Sequence, residues 1–489
     1  MLFNSYIFIF LFLPITLIGW HGLNHIKKYN LAICFLTAMS LIFYGYFNIS
    51  YSLILIGSIG LNHIISKLMD KSSLWSKKLL LILGVILNLG ILGYFKYYNF
   101  FIDNINSVFH LNIIGRNILL PLGISFFTFQ QLSFVIDRYK GDAPSYNLTE
   151  YAAYVTFFSQ LIAGPIVLHS QLIPQLCDKS KKHLNIESFE YGICYFVLGL
   201  SKKILIADLL ASPVNYAFTN IAALDTPSSI LVILAFAMEI LFDFSGYSDM
   251  AIGLGKMFGI ELPVNFNSPM ASHTIKEFWK RWHITLGNFF TNYVYIPLGG
   301  SRKGKARTLL NVIILFSLSG LWHGADWTYV LWGLMQAVAI CIETIFHIKT
   351  GKNAIVRAFQ TAFTFIYFSL SLVFFRSDNV RDALLYFKRM FSLDSYHYIY
   401  TVCKSVSFNE GYVLQKYIQM RNAGYEAYYL FAIFMITLVI AIILSLGKSL
   451  KDRMSTRKIG TRYALFISIL FIWCVLSLGS VSTFLYFNF

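Results

Sequence analysis

Apolar stretches near twenty residues long, separated by short polar or basic turns, recur from one end of the chain to the other. Residues 3–20, 31–47, 51–66, 79–95, 228–242, 308–322, 328–346, 354–375, 427–447 and 463–485 all follow this pattern. A helix of about 20 apolar residues spans a hydrocarbon core of about 30 Å, so each stretch is expected to cross a membrane. The first lacks a basic segment before it and a small-residue cleavage site after it, and reads as a span rather than a signal peptide. Two regions break the pattern. Residues 151–168 hold Gly164-Pro165 in mid-run, which predicts a re-entrant segment. Backbone broken at membrane depth has to be buried in protein or line a water-filled cavity. Residues 190–212 carry Lys202 and Lys203 at their middle, and either cross or lie flat on the inner surface. With these regions the pattern predicts about 11 to 12 crossings.

Basic residues between the spans set the orientation. Stretches 21–28, 67–78, 179–182, 302–307, 349–357 and 448–462 are expected on the cytoplasmic side. They alternate consistently, which places both termini outside and makes 97–117 and 377–426 external loops. The composition agrees with lipid as the solvent. The chain is 57% hydrophobic and 13% charged, where a soluble domain carries about 25% charged residues. The net charge of +16 is scattered between spans, so it marks topology and not a nucleic-acid surface. Six cysteines show no C-x-x-C spacing and read as small packing residues. No H-E-x-x-H and no Cys/His cluster points to a metal. The expectation is an all-α integral membrane protein, a multi-spanning bundle forming one membrane-embedded domain over 1–489.

Candidate chemistry concentrates in residues 276–327. The segment KEFWKRWHITL at 276–286 places Trp279 and His283 at i,i+4, on one expected helix face. An interfacial helix with an incidental histidine explains the same residues. YIPLGGSRKGKAR at 295–307 is a glycine-rich basic loop without the P-loop spacing. Its Arg302, Lys303, Lys305 and Arg307 suit an anionic donor such as coenzyme A, and topology alone also accounts for them. From Arg307 to His323, in SGLWHGADW at 319–327, is a helical rise of roughly 24 Å. His323 is therefore expected deep in the membrane, followed by a turn at Gly324, and an ionisable residue at that depth is a functional candidate. A neutral histidine satisfied in a helix contact is the plainer explanation. On MEILFDFSGYSDMAIG at 238–253, Glu239 and Asp243 share a face of an otherwise apolar helix. Either acid could orient a histidine or hold a water, and either could equally be structural.

These residues resemble the membrane-bound O-acyltransferases, in the branch of bacterial alginate and peptidoglycan O-acetyltransferases. The likeness runs through PLGISFFTFQQLSFVIDRYKG at 121–141, FFSQLIAGPI at 157–166 and LFDFSGYSDMAIGLGKMFGIELPVNFNSP at 241–269. It continues in FWKRWHITL at 278–286, YIPLGGSRKG at 295–304, GLWHGADWTYVLWG at 320–333 and the extreme C-terminus. YIPLGG favours the polysaccharide acetyltransferases over the related D-alanine exporters. HITLGNFF at 283–290 departs from the pattern by lacking the basic residue usual shortly after the first histidine.

The resemblance implies a catalytic role for His323, a second important histidine in His283, and a helical bundle thinned at its centre into a tunnel. Trp282 and Trp322 are expected to wall that tunnel. The implied activity is O-acetyl transfer from a cytoplasmic donor, acetyl-CoA, with no bound cofactor, across the bacterial cytoplasmic membrane to an extracytoplasmic polysaccharide. The core lies within 120–335, and 377–426 is an external loop long enough to dock a partner. Because the chain ends at Phe489 without an esterase-like domain, that partner is expected to be a separate extracytoplasmic O-acetyltransferase with a serine nucleophile. The last segment, 463–489, is read as a span of 23 helical residues, about 34 Å long, carrying an aromatic tail outward. The family analogy makes Tyr486 in that tail an acyl carrier, and an aromatic interfacial anchor explains it too. A lipid acyltransferase of the same superfamily and a multi-pass transporter are the other readings. A transporter leaves the FWKRWH and LWHGA pairing unexplained.

Overall fold

The structure is a computed structural model describing residues 1–394, 397–421, 423–479 and 484–485. Helices dominate, and no strand occurs among the described residues. Among the described residues eight helices are long and apolar enough to cross a membrane: Phe8–His25, Ile49–Asp70, Leu74–Phe109, Thr226–Met257, Lys305–His323, Trp327–Ile345, Ala354–Arg376 and Gly424–Leu446. Tyr29–Gly45 and Thr461–Leu476 are shorter apolar helices. Together these fall on the ten apolar stretches, so the multi-pass helical architecture is as expected.

Several boundaries differ from expectation. Residues 97–109, expected in an external loop, continue the helix Leu74–Phe109. The expected loop 377–426 contains the helices Val380–Met390, Tyr398–Cys403 and Tyr412–Arg421. The helix expected over 463–485 is Thr461–Leu476. Its 16 residues rise only about 24 Å, and the SLGS sequence that follows, with its glycine, is a poor helix former. Residues 186–219 form one helical run, with a π-helical stretch Lys202–Ala207 where the two lysines sit. All six cysteines are unpaired, and Cys194, Cys403 and Cys474 are buried.

The chain divides into two compact units, Met1–Phe196 with Ser248–Val264, and Val197–Tyr247 with Asn265–Phe489. In the first, the rings of Phe8, Phe12, Phe43, Phe158 and Phe258 pack in tilted and edge-on pairs. Asn62 donates to Asn88 at 3.2 Å and to Gln131 at 3.0 Å, and Gln131 donates to Ser58 at 2.6 Å. Such buried amide networks hold apolar helices together where lipid gives no hydrophobic drive. The expected broken segment is present. The helix Leu148–Thr156 stops at Phe157, a single turn Phe158–Leu161 follows, and a new helix starts at His169. The break comes seven residues before Gly164, and Phe157 to Ala163 are fully buried. Their freed polar groups find protein partners. The Phe158 N–H donates to Ser40 Oγ at 3.2 Å and Ser159 Oγ donates to the Ala251 carbonyl at 2.7 Å.

The second unit is organised by the hairpin of Lys305–His323 and Trp327–Ile345. The first helix ends at His323, Gly324 is extended, and Asp326 caps the second by accepting the Thr328 N–H at 2.8 Å. The two helices touch backbone to backbone. A Cβ placed on Gly320 would overlap the Tyr329 carbonyl and lie 3.3 Å from Gly333 Cα, and one on Gly333 would overlap the Phe316 carbonyl. Small residues at such a contact let membrane helices approach closely. Gln336 adds a bridge to the next helix by donating to Ser371 Oγ at 2.8 Å.

Gly333→Ala should therefore lower the thermal unfolding temperature of the detergent-solubilised protein, at a cost of about 1–3 kcal/mol for overpacking. Gly22→Ala, where an added Cβ meets nothing within 4 Å, should leave it unchanged or raised.

Candidate active site

His283 owes its position to Glu343 and Asn265, both outside its own segment. The helix Ile275–Arg281 begins at Thr274, whose Oγ1 accepts the Glu277 N–H at 3.1 Å. Glu343, buried on the hairpin helix, accepts the Ile275 and Lys276 N–H groups at 2.5 and 2.9 Å. A carboxylate there satisfies otherwise unpaired amides and complements the helix dipole. The helix does not continue through His283 as the i,i+4 spacing suggests. Trp282 is extended and His283 is left-handed, with φ of 44°. A non-glycine residue holds that conformation only where its surroundings dictate it.

Asn265 dictates it. Its carbonyl accepts the Ile284 N–H at 3.0 Å. Its side-chain Oδ1 accepts the Thr285 N–H at 3.3 Å and hydroxyl at 2.6 Å, and lies 3.3 Å from His283 Nδ1. An amide oxygen is an acceptor only, so His283 Nδ1 carries the proton and Nε2 the lone pair. Nε2 has no hydrogen-bond partner among the described residues. Burial pushes the imidazole down to about 3, so it is neutral near pH 7.

His323 is 2% exposed at the end of its helix. Its ring is 5.2 Å from that of Trp332 and 5.3 Å from that of Phe375, both edge-on. Trp322 joins the histidines, with its ring 4.9 Å from His323 and 6.0 Å from His283. Trp282 packs behind the site against Phe266, Phe278 and Phe368 at 5.0–5.5 Å. A cavity of about 450 Å³ reaches His283 and Ser319, one turn before His323, and its largely apolar wall includes Trp279 and Phe316.

The cations on that cavity are Lys276 and Lys280. Arg302, Lys303, Lys305 and Arg307 are exposed and do not line it. Lys305 and Arg307 reach the Ile345 and Leu298 carbonyls at 3.4 and 3.3 Å. The expected donor loop is thus not brought to the cavity. The i,i+4 spacing of Lys276 and Lys280 was visible in KEFWK, but interfacial anchoring accounts for the same pair. Nothing in the local sequence marks Asn265 and Glu343.

The two acids are buried on the helix Thr226–Met257, Glu239 at 3% and Asp243 at 2% exposure. Asp243 Oδ1 pairs with Lys203 Nζ at 2.5 Å, and Oδ2 accepts the Leu485 N–H at 2.8 Å. Among the described contacts the side chain that orients His283 is an amide, Asn265. Phe484 is buried against Phe244 and Tyr247, with ring separations of 5.6 and 4.8 Å. Phe244 stands edge-on to His283 at 4.7 Å. Tyr486 lies outside the described residues.

The profile of the membrane-bound O-acyltransferase family, MBOAT, matches residues 121–385. The chain belongs to this family. It is 38% identical over 423 residues to a peptidoglycan O-acetyltransferase of Helicobacter pylori, covering 81% of this chain and 80% of that one. It is 37% identical over 406 residues to a probable alginate O-acetylase of Pseudomonas aeruginosa, covering 81% and 76%. A teichoic acid D-alanyltransferase of Streptococcus thermophilus is more distant, 27% identical over 239 residues, covering 47% and 58%. This membrane-bound O-acyltransferase is accordingly a multi-pass membrane enzyme, and both histidines, Asn265 and Glu343 fall inside the matched region.

Asn265→Ala removes the acceptor of three buried donors, each worth about 1–3 kcal/mol when left unpaired. Acyl transfer by this variant should fall by about 10²-fold as His283 loses its alignment, with a lowered melting temperature. A wild-type rate would show that His283 needs no such support.

Proposed function

We propose that this enzyme takes an acetyl group from a cytoplasmic thioester and delivers it across the bacterial cytoplasmic membrane for O-acetylation of an extracytoplasmic polysaccharide. The supporting observation is the Trp322 bridge between two buried histidines, one of them on the wall of an apolar cavity that also carries Lys276 and Lys280. The names of the peptidoglycan and alginate relatives support the acetyl group and the polymer class.

Acetyl-CoA is the donor in this reading. Its phosphates meet Lys276 and Lys280, its pantetheine arm lies in the cavity, and its adenosine end stays in the cytoplasm. His323 acts as general base. It takes the proton of an acceptor hydroxyl while that oxygen attacks the thioester carbonyl. The C–S bond then breaks, and the coenzyme A thiolate takes the proton from the His323 imidazolium. A well-placed base contributes about 10²- to 10⁴-fold. The first acceptor is the Tyr486 hydroxyl, by analogy with the aromatic tails of the family. A separate extracytoplasmic transferase with a serine nucleophile then moves the acetyl group from the tyrosyl ester to the polymer. Relay through a covalent carrier divides one difficult transfer into easier ones.

His323→Ala should abolish acetate release from purified surface polymer while the protein still accumulates in the membrane. Wild-type acetylation in that variant would remove His323 from the mechanism. On the donor side, Lys276→Gln with Lys280→Gln should raise the acetyl-CoA concentration needed for half-maximal transfer in reconstituted membranes by about tenfold, as expected for losing a charge-assisted contact. Arg302→Gln with Lys303→Gln should shift it far less. The reverse order would return the donor site to the exposed loop.

A further inference from the structure

The ion cluster around Asp243 involves the end of the chain. Lys203, 5% exposed, lies 2.8 Å from Asp208 Oδ1 and 2.5 Å from Asp243 Oδ1. One ammonium thus faces two carboxylates, and burying a charge is costly unless it is paired and hydrogen-bonded. Glu239 lies one turn earlier on the same helix. The free oxygen of Asp243 is directed to main chain 242 residues away, where it accepts the Leu485 N–H. The residue before it fills an aromatic slot, since Phe484 is 2% exposed between Phe244 and Tyr247. Phe244 is in turn in ring contact with His283. Phe484 and Leu485 are therefore held in succession, by a side chain in a slot and by a backbone amide on a buried carboxylate. A carboxylate that accepts a main-chain N–H reads the path of the chain and not its side chain. Hydrogen bonds to charged acceptors are also the strong ones.

We propose that Asp243, paired with Lys203, is a positioning residue that latches the C-terminal segment beside the acyl-transfer site by gripping the Leu485 amide. The latch gives its reason to the relay reading of Tyr486, the next residue in the chain, and rests on that reading for its role in acetyl transfer. The grip itself is independent of it. A purely structural Asp243 would need only Lys203, and would be indifferent to whether residue 485 has an N–H.

The test removes each side of the contact in turn. Leu485→Pro deletes the amide hydrogen and leaves the ion cluster intact. Leu485→Ala keeps the hydrogen and serves as its control, and Asp243→Asn weakens the acceptor. Each is made in purified full-length protein carrying Asn488→Cys, and the rate of maleimide labelling is read on the tail peptide by mass spectrometry. Leu485→Pro and Asp243→Asn should each speed labelling by about tenfold or more, the worth of a hydrogen bond to a charged group. Leu485→Ala should stay within about twofold. Combining Asp243→Asn with Leu485→Pro should add nothing to either alone, because residues acting through one contact are not additive. Unchanged labelling in Leu485→Pro overturns the latch, even if Asp243→Asn fails to fold. Multiplied effects in the double variant overturn it as well. Tyr486→Phe, which leaves the Leu485 amide in place, separates the two ideas. Polymer acetylation lost in Tyr486→Phe without faster labelling supports both. Acetylation kept in Tyr486→Phe, with labelling still sped by Leu485→Pro, retains the latch and removes the relay.

Discussion

The bare backbone contact between Gly320 and Gly333 is the constraint on which the second unit depends. Two apolar helices in lipid gain little from hiding their side chains from one another, because lipid is as apolar as leucine. Close approach supplies dispersion contacts instead, and only glycine allows it at a position where a Cβ would overlap a facing carbonyl. The contact lies one turn before His323 and sets the height of that histidine against Trp332. From the second helix of the same hairpin, Glu343 reaches the first amides of the helix Ile275–Arg281 and so ties the His283 segment to the hairpin that carries His323. One close-packed hairpin thus registers both histidines.

At two breaks in the chain, backbone freed from helix is satisfied inside the protein, as burial away from water requires. The break at Phe157 is served by Ser40, and the neighbouring Ser159 is anchored to the Ala251 carbonyl. The break at His283 is served by Asn265, which also selects the imidazole tautomer. Interruptions of helix therefore occur where a side chain from distant sequence is available to receive them. At His283 the consequence is chemical, for a neutral ring with its Nε2 lone pair is left on a cavity wall.

The charges divide into two populations with different physics. Arg302, Lys303, Lys305 and Arg307 stay in solvent, where a cation costs little and reports topology. Lys203 and Asp243 are buried, where each would be prohibitive alone and each requires the other. Lys276 and Lys280 stand between these extremes, on the wall of the cavity that reaches His283.

The amino-acid sequence by itself determined that the protein enters a membrane and where along the chain its apolar helices fall. These follow from run length and from the fixed rise of a helix, which are local quantities: counting from Arg307 was enough to put His323 at the buried end of its helix. Gly164-Pro165 likewise announced a broken segment, although the break falls at Phe157. The motif likeness brought the family within reach, since FWKRWH and LWHGA are contiguous words. The tertiary structure alone decided the rest. Helical spacing put Trp279 and His283 on one face, and an asparagine 18 residues upstream overruled it. Charge suited 302–307 either to an anionic donor or to topology alone, and the fold puts Lys276 and Lys280 on the cavity. Span length carried the tail out along a helix, and a partner 242 residues away holds Leu485 instead. Each of these depends on contacts between segments remote in sequence, and no local periodicity or count of apolar residues contains them.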